Sequence, residues 1–309
     1  MIQVEQLTKV YGATRAVEGL NFQIERGEIV GFLGPNGAGK STTMRIIAGA
    51  LGATEGRVRV DGVDVFEDPI RVKRMVGYLP EVPPLYPDMT VRGYLRYVAR
   101  LKQATDPKRA TESAIERVGL TDVGHRLIDH LSKGYRQRVG IAQALVHAPR
   151  VLILDEPASG LDPAQRVEIR HLVRELAQGD VTVILSTHVL PEVEAICDRA
   201  IIINEGRIVA SDTLDGLSQA GVSVKLTVGR PDEALLQQLR GLSGVQSVRD
   251  MSGGTYVVTS ERDVRAEAAS IAVAYDLLGL SGQRGLEDAY LLATEAASTQ
   301  SSAEDGGEA

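Results

Sequence analysis

Short apolar runs alternate with helical patterns along most of the chain. Residues 28–33 and 151–154 are runs of strand length, and the second is wholly apolar, as a strand buried on both faces is. Further strands are predicted at residues 2–7, 17–24, 57–60, 75–79 and 181–185. We expect the first of these at the edge of a sheet, and we expect Asp61 and Gly62 to form a hairpin turn after residues 57–60.

Helical spacing dominates residues 83–149. Asp88 or Thr90 can cap a first helix, Asp106 can cap a second, and a third begins near Ser132. Because a strand, a helix and another strand follow from residue 151 onward, the sequence predicts an α/β chain with a helical insertion at about 83–149.

Residues 219–295 predict a separate, small α+β domain after a first domain at residues 1–218. Strands at 222–228, 245–248 and 255–259 accompany helices that start near Pro231 and Val264. This part of the sequence has no Cys/His cluster and no glycine-rich loop, so its role is either to support a dimer or to sense a ligand. Residues 296–309 are rich in Ser, Ala, Gly and acidic residues and predict a disordered tail.

Composition limits the possible partners of the chain. The 309 residues are 43% hydrophobic and carry a net charge of −7, which argues against a general affinity for nucleic acid. No apolar run is long enough to span a membrane, and we expect no secretory leader. The one cysteine, Cys197, fits a reducing cytosol and lies in an apolar-periodic stretch, where a core position is expected.

A glycine-rich turn follows the strand at residues 28–33 and precedes a helix. This is the pattern G-x-x-x-x-G-K-S/T in the setting that binds nucleoside triphosphates. Backbone amides of such a loop surround phosphate oxygens, the lysine reaches the β and γ phosphates, and the serine hydroxyl is a ligand for Mg²⁺. The candidate residues are Gly34, Pro35, Asn36, Gly37, Ala38, Gly39, Lys40, Ser41 and Thr42.

Two other strands are expected to end beside this loop. The strand at 151–154 leads to Asp155 and Glu156, and the strand at 181–185 leads to His188. Ligands of open α/β sheets bind at the carboxyl ends of the strands. Asp155 can hold Mg²⁺ directly or through water, and Glu156 can orient or deprotonate the water that attacks the γ phosphate.

In order and spacing, these motifs closely resemble the ATP-binding subunit of an ABC transporter over nearly all of residues 2–215. GPNGAGKST is similar to the Walker A motif, and VLILDE to the Walker B motif, whose last glutamate is catalytic in the family. SGLDP at residues 159–163, which includes Asp162, resembles the D-loop, and His188 resembles the switch histidine. The resemblance also assigns Tyr11 to the aromatic side chain that stacks on adenine. It implies a P-loop ABC ATPase core with an antiparallel β subdomain, and ATP and Mg²⁺ as cofactors.

Two motifs depart from the usual family pattern. The signature, usually LSGGQ, reads LSKGY, with Ser132, Lys133 and Gly134 expected to face the γ phosphate held by a second copy. Lys133 either strengthens this clamp or is a solvated lysine. Glu81 stands where the family has the Q-loop glutamine, and its carboxylate should favour Mg²⁺ more strongly.

These features together predict an ATP hydrolase that drives export through a separate integral membrane permease. Two copies should bind ATP head to tail on the cytoplasmic face of the membrane, and the permease should dock at residues 81–97. Glu81, the LSKGY signature and a C-terminal domain that ends in LEDAYLLAT together resemble the ATP-binding subunits of ABC-2 exporters. These exporters include transporters for drugs or polysaccharides and for gliding motility. The transported substrate is not encoded in these residues.

Two alternatives from other classes remain. A soluble ABC ATPase that acts on ribosomes or DNA usually has two cores or a long coiled-coil insertion, and this chain has one core and no sustained heptads. A regulatory nucleotide switch that hydrolyses too slowly to do work is the other.

Overall fold

The computed structural model describes residues 1–177, 181–219, 222–260, 262–283, 286 and 290. They form two compact units, which divide between Ser211 and Asp212. The predicted domain boundary at 218/219 stays a prediction. The closing helix that LEDAYLLAT predicts lies largely outside the described residues, and the predicted tail at 296–309 lies wholly outside them.

The first unit contains two sheets. A four-stranded sheet has the order β2-β1-β4-β5, and a six-stranded sheet has the order β10-β9-β3-β8-β7-β6. The strands are β1 (Ile2–Tyr11), β2 (Thr14–Ile24), β3 (Ile29–Leu33), β4 (Glu55–Val60), β5 (Val63–Asp64), β6 (Val76–Leu79), β7 (Val151–Asp155), β8 (Thr182–Thr187), β9 (Arg199–Asn204) and β10 (Arg207–Thr213). The prediction that β1 lies at an edge is wrong, because β1 pairs antiparallel with both β2 and β4. The hairpin at Asp61 and Gly62 is confirmed: both residues have positive φ, and β5 pairs with β4.

The six-stranded sheet is parallel across its centre. β3 pairs with β8 and β9, and β7 pairs with β6 and β8, all in parallel register. Their carboxyl ends therefore meet at one edge. β7 is buried along its whole length, which explains its uninterrupted apolar sequence.

Helices cover the sheets and form the block between β6 and β7. They are α1 (Lys40–Ile47), α2 (Pro69–Met75), α3 (Val91–Leu101), α4 (Pro107–Arg117), α5 (Lys133–Leu145), α6 (Pro163–Ala177) and α7 (Leu190–Ile196). Of the two caps considered for α3, Thr90 is the one observed, and the cap predicted for α4, Asp106, is confirmed; Ser132, near which α5 was predicted to begin, caps that helix. The helical block is thus built from α3, α4 and α5, which pack against one another.

One core joins the two sheets of this unit. Phe22 of β2 and Phe32 of β3 lie with ring centroids 5.6 Å apart, at a tilt of 50°. Side chains of the antiparallel sheet, such as Ile2 and Leu7, belong to the same buried cluster as Ile153 of β7. This packing fixes the antiparallel sheet against the strand that precedes the glycine loop.

The second unit is an α+β structure. Its sheet has the order β12-β13-β11-β14, and α9 and α10 pack against it over a separate core. Its elements are α8 (Leu214–Gln219), β11 (Val222–Val228), α9 (Glu233–Arg240), β12 (Val245–Asp250), β13 (Thr255–Ser260), α10 (Arg265–Ala272) and β14 (Leu277–Gln283). The three predicted strands and two helices are present, whereas β14 was not predicted.

Candidate functional site

The glycine loop lies between the buried strand β3 and helix α1. Gly37 and Gly39 have φ of 83° and 101°, in the left-handed region that favours glycine. A side chain at Gly34 would collide with the Ile203 carbonyl oxygen, and one at Gly39 with the Ala16 carbonyl oxygen. Gly39 is also the N-cap of α1 and provides no side-chain cap. The first amides of α1 are therefore free of a side-chain acceptor, which suits an anion.

Lys40 is folded back over this loop. Its ammonium donates to the Gly34 carbonyl at 2.7 Å and to the Pro35 carbonyl at 3.0 Å, and only 6% of the residue is exposed. Burial lowers the pKa of Lys40, while the charges of Glu156, Asp155 and Glu81 oppose that shift. The cation is thus held in the loop by neutral carbonyls and by carboxylates from neighbouring strands.

Asp155 lies beneath the loop at the end of β7. It is 2% exposed, and its Oδ1 accepts a hydrogen bond from Ser41 Oγ at 3.1 Å. Ser186, at the end of β8, donates to the same oxygen. Ser186 was not singled out from the sequence, although its register opposite Asp155 in the parallel pair of β7 and β8 is the signal that could have found it.

Glu156 is paired with His188. Glu156 Oε1 lies 2.9 Å from His188 Nδ1 and 3.9 Å from Lys40 Nζ. Glu156 has a φ of 49°, and its amide donates to the Ser186 carbonyl. The left-handed backbone at this position turns the chain away from the sheet directly after β7, and the Glu156 carboxylate lies beside the loop.

A buried carboxylate behind these groups, Glu192 of α7, was also missed. It is 6% exposed, and Thr187 Oγ1 donates to it at 2.9 Å. Burial raises the pKa of Glu192, the bond from Thr187 opposes this shift, and the charge of Glu156 adds to it. Thr187 is thereby fixed between β8 and α7, directly before His188.

These groups surround a cavity of about 410 Å³. Its lining includes Asn36, Gly37, Gly39, Lys40, Ser41, Thr42, Glu81, Glu156, Ser159 and His188. Tyr11 and Asp162 lie outside this lining. Tyr11 ends β1 with 45% of its surface exposed and the Lys9 ammonium 5.2 Å from its ring centroid, and Asp162 accepts a hydrogen bond from the Gln165 amide in the first turn of α6.

The signature residues lie at the start of α5, also outside that cavity. Ser132 caps the helix through the Tyr135 amide, at 3.4 Å. Gly134 is covered by the Gln165 side chain, which would lie 3.0–3.2 Å from an added Cβ. The Lys133 ammonium occupies the space where a side chain at Gly160 would begin. Lys133 therefore contacts the SGLDP loop of its own chain.

A second, more apolar cavity of about 540 Å³ adjoins Glu81 and Lys133. Residues 82–87 contribute Val82, Pro83, Leu85 and Pro87 to its lining. Next to it, Tyr86 has its ring centroid 5.8 Å from those of Tyr94 and Tyr97, and Tyr86 is 50% exposed. Val82 is 80% exposed. The segment after β6 thus presents exposed apolar and aromatic side chains beside this cavity.

None of the described helices is both long enough and apolar enough to cross a bilayer.

The ABC transporter family matches residues 17–159. An uncharacterised ABC transporter ATP-binding protein of Bacillus subtilis, YdbJ, is 37% identical over 300 residues, covering 96% of both chains. The bacitracin transport ATP-binding protein BcrA of Bacillus licheniformis is 38% identical over 220 residues, which cover 71% of this chain and 72% of that protein.

A solved structure supports the same relationship. The dimeric structure of a bacterial ABC transporter cassette superposes with a TM-score of 0.63 at 25% identity, covering 69% of this chain and 98% of that one. The family resemblance inferred from the motifs is therefore confirmed: the chain belongs to the ABC transporter family, as an ATP-binding and ATP-hydrolysing subunit.

Proposed function

We propose that this chain powers an exporter of the ABC-2 type, as a head-to-tail homodimer bound to a separate integral membrane permease on the cytoplasmic face of the membrane. The observation that carries the hydrolytic part is the convergence on one loop of two polar pairs, Ser41 with Asp155 and Glu156 with His188. The bacitracin transport relative supports the assignment to export.

The phosphate loop supplies most of the binding energy for the triphosphate. The amides of residues 34–42 and the dipole of α1 face the phosphates, and Lys40 exchanges its two carbonyl partners for phosphate oxygens. Tyr11, exposed at the end of β1, stacks on the adenine.

The oxygen ligands beside this loop fit Mg²⁺. Ser41 Oγ and Asp155 Oδ1 are hard donors 3.1 Å apart, and Glu81 lines the same cavity. Bound there, Mg²⁺ would neutralise charge on the β and γ phosphates. Ser186 keeps the Asp155 carboxylate oriented toward the hydroxyl of Ser41.

Glu156 is placed to accept a proton from the attacking water. Its carboxylate is 2.9 Å from the His188 imidazole, which holds it in orientation, and 3.9 Å from the Lys40 ammonium. Because Glu156 is only 8% exposed, the water it activates is separated from bulk solvent.

The site is completed by a second copy. Ser132, Lys133 and Gly134 lie outside the nucleotide cavity of their own chain, at the start of α5, where a helix N-terminus favours an anion. In the dimer they face the γ phosphate held by the partner, and the loop with Asp162 lies between the two sites. Hydrolysis removes the shared phosphate and opens the dimer, and residues 81–97 pass this motion to the permease.

Glu156→Gln tests the hydrolytic assignment. The amide retains the shape of the side chain but is a poor base, so ATP turnover should fall by about a hundredfold or more while ATP still binds. Size-exclusion chromatography with ATP should show an accumulated dimer. Glu175→Gln, an exposed change on α6, is the control and should turn over ATP normally. Full turnover by Glu156→Gln would remove Glu156 from this role.

A further inference from the structure

A third cavity, of about 500 Å³, lies at the opposite edge of the parallel sheet from the glycine loop. The end of α2, the turn between α3 and α4, and the residues after α5 form its walls. The end of α2 and the residues after α5 lead into the amino ends of β6 and β7, whereas the nucleotide loop follows the carboxyl end of β3. This cavity, here named the basal cavity, is therefore separate from the nucleotide site and from the apolar cavity next to Glu81.

Three basic side chains line the basal cavity: Arg74, Lys102 and Arg109. Within the described part of the chain, none of them takes part in a salt bridge. Arg74 instead donates to Gln103 Oε1 at 2.6 Å, and Lys102 donates to the Lys73 carbonyl at 2.8 Å. Both charges are thus held in place by neutral acceptors.

The one carboxylate in this lining is already engaged. Asp106 caps α4 by accepting from the amides of Lys108 and Arg109, at 3.0 and 3.1 Å. Its charge is used to hold the helix start and does not pair with the side chains of Arg74, Lys102 or Arg109. The basal cavity therefore has a net positive charge in a protein whose overall charge is −7.

His147 is a second group in this cavity whose protonation an anion would favour, because its Nδ1 carries no proton while its Nε2 donates to a carbonyl oxygen. Its Nε2 lies 3.2 Å from the Val76 carbonyl oxygen, and its Nδ1 is buried without a hydrogen-bond partner among the described residues. Burial lowers the pKa of His147 to about 4, the charge of Lys102 lowers it further, and the bond to Val76 opposes the shift. Burial also lowers the pKa of Lys102, and the charge of Lys73 adds to that effect. Each of these shifts would be relieved by a negative charge.

We propose that the basal cavity is a binding site for a phosphate-bearing anion. A phosphate group accepts several charge-assisted hydrogen bonds, and Arg74 and Arg109 provide planar guanidinium donors for it. Thr105 and Ser113 line the same cavity and add hydroxyl donors. The volume is in the usual range for small-molecule sites. The ligand is either a free phosphorylated molecule or the headgroup of an anionic phospholipid.

The position of this site gives it a structural connection to the signature. Helix α5 starts directly after Ser132 and ends at Leu145, close before His147. At 1.5 Å per residue the helix spans about 20 Å. The anion would therefore bind at one end of the helix whose other end is proposed to contact the partner's ATP.

The test uses the full chain saturated with a non-hydrolysable ATP analogue, so that the phosphate loop is occupied. Pyrophosphate is titrated while the ring resonances of histidine are followed by NMR, with His147→Gln identifying the signal among the five histidines. We expect a saturable shift of the His147 signal and a rise in its pKa above about 4. A signal that neither moves nor changes its pKa with pyrophosphate or with the vesicles described below would overturn the proposal.

Matched variants separate a built site from general charge attraction. Arg109→Gln should weaken pyrophosphate binding by about tenfold or more, because a charge-assisted hydrogen bond is lost. Arg117→Gln removes an exposed charge from the same helix and should leave binding within about twofold. Equal effects of the two variants, with thermal unfolding unchanged in both, would also overturn the proposal.

Vesicles identify the source of the phosphate. Phosphatidic acid in a phosphatidylcholine background is compared with phosphatidylcholine alone, using the same His147 signal. A response to pyrophosphate assigns a free ligand, and a response only to phosphatidic acid assigns a lipid headgroup. In both cases Arg109→Gln must weaken the response.

Discussion

Lys133 is the residue at which the sequence departs most visibly from the family's signature. Its ammonium lies over Gly160, within the chain's own SGLDP loop, and it lines the cavity beside Glu81 and Ser159. Lys133 is exposed, so its ammonium is free to turn toward a phosphate that a partner brings to the start of α5. This favours the hypothesis that Lys133 strengthens the clamp on ATP.

Removal of this side chain tests the hypothesis. Lys133→Gly should weaken ATP-dependent dimerisation by up to about tenfold, because a cation beside the shared phosphate is lost. Lys133→Gln removes the charge without the added backbone freedom of glycine, and it should weaken dimerisation nearly as much as Lys133→Gly does. Lys108→Gln, an exposed change on α4, is the control. Analytical ultracentrifugation with the ATP analogue measures the affinity, and an unchanged affinity in both Lys133 variants would assign the residue to solvent.

At the level of elements, helix α5 depends on two glycines for its position. A Cβ at Gly77 would collide with the backbone of Ala144, and a Cβ at Gly140 would approach Leu79 and Pro83 to 2.7–3.0 Å. The helix and β6 therefore meet with almost no side chain between them.

Gly77→Ala should for this reason destabilise the first unit. Overpacking a rigid contact costs about 1–3 kcal/mol, and here backbone atoms must move. Chemical denaturation followed by circular dichroism measures the free energy of unfolding. Gly52→Ala is the matched control, because an added Cβ there meets no atom within 4 Å. A Gly77→Ala protein as stable as the control would show that α5 can shift freely.

Most elements of the first unit could be predicted because pattern and caps agree. β7 is apolar throughout, and Thr90, Asp106 and Ser132 each precede a helix that they cap. β1 was misplaced at an edge because strand order depends on pairing over long sequence distances, which the local alternation of apolar residues does not encode. β14 was missed for another reason: its sequence LLGLSGQ contains two glycines and has weak strand propensity, and only its pairing with β11 makes it a strand.

The candidate site likewise contains residues that local motifs reveal and residues that only long-range contacts reveal. The glycine loop, Asp155, Glu156 and His188 could be found from motifs, since each follows the end of a predicted strand. Ser186 could have been found only through its register opposite Asp155, and Glu192 could not, because its role depends on its contact with Thr187. The sequence also grouped Asp162 with the nucleotide ligands, and in the structure it caps the first turn of α6.

The segment after β6 is the element expected to contact the permease. Tyr86 packs against Tyr94 and Tyr97 yet stays half exposed, so its ring is a pre-ordered apolar anchor. Tyr86→Ala should reduce permease-stimulated ATP hydrolysis by about tenfold or more and leave basal hydrolysis of the isolated subunit largely intact. Tyr86→Phe should retain the stimulation, and Ile70→Ala, an exposed apolar change on α2, should have no effect. Assays with and without reconstituted permease decide this, and an equal loss of basal and stimulated rates would contradict the docking role.

At the level of the whole molecule, the separation of the two halves of the site requires two copies. The glycine loop follows β3, whereas Ser132 starts α5 and does not line the nucleotide cavity of its own chain. In a single chain, no signature residue would contact the ATP bound at the glycine loop. The proposed dimer solves this by two-fold symmetry, which pairs each loop with the opposite Ser132.

Complementation between two inactive variants tests this arrangement. Lys40→Ala should fail to bind the triphosphate, and Ser132→Arg should place a bulky side chain where the partner's phosphate must approach, so each alone should hydrolyse little ATP. In an equal mixture, half of the dimers are expected to be mixed, and each mixed dimer has one intact site. Turnover should therefore return to about a quarter of the unmutated rate if one site suffices. Circular dichroism must show both variants folded, and a mixture of folded variants that stays as inactive as its components would mean that each copy works alone.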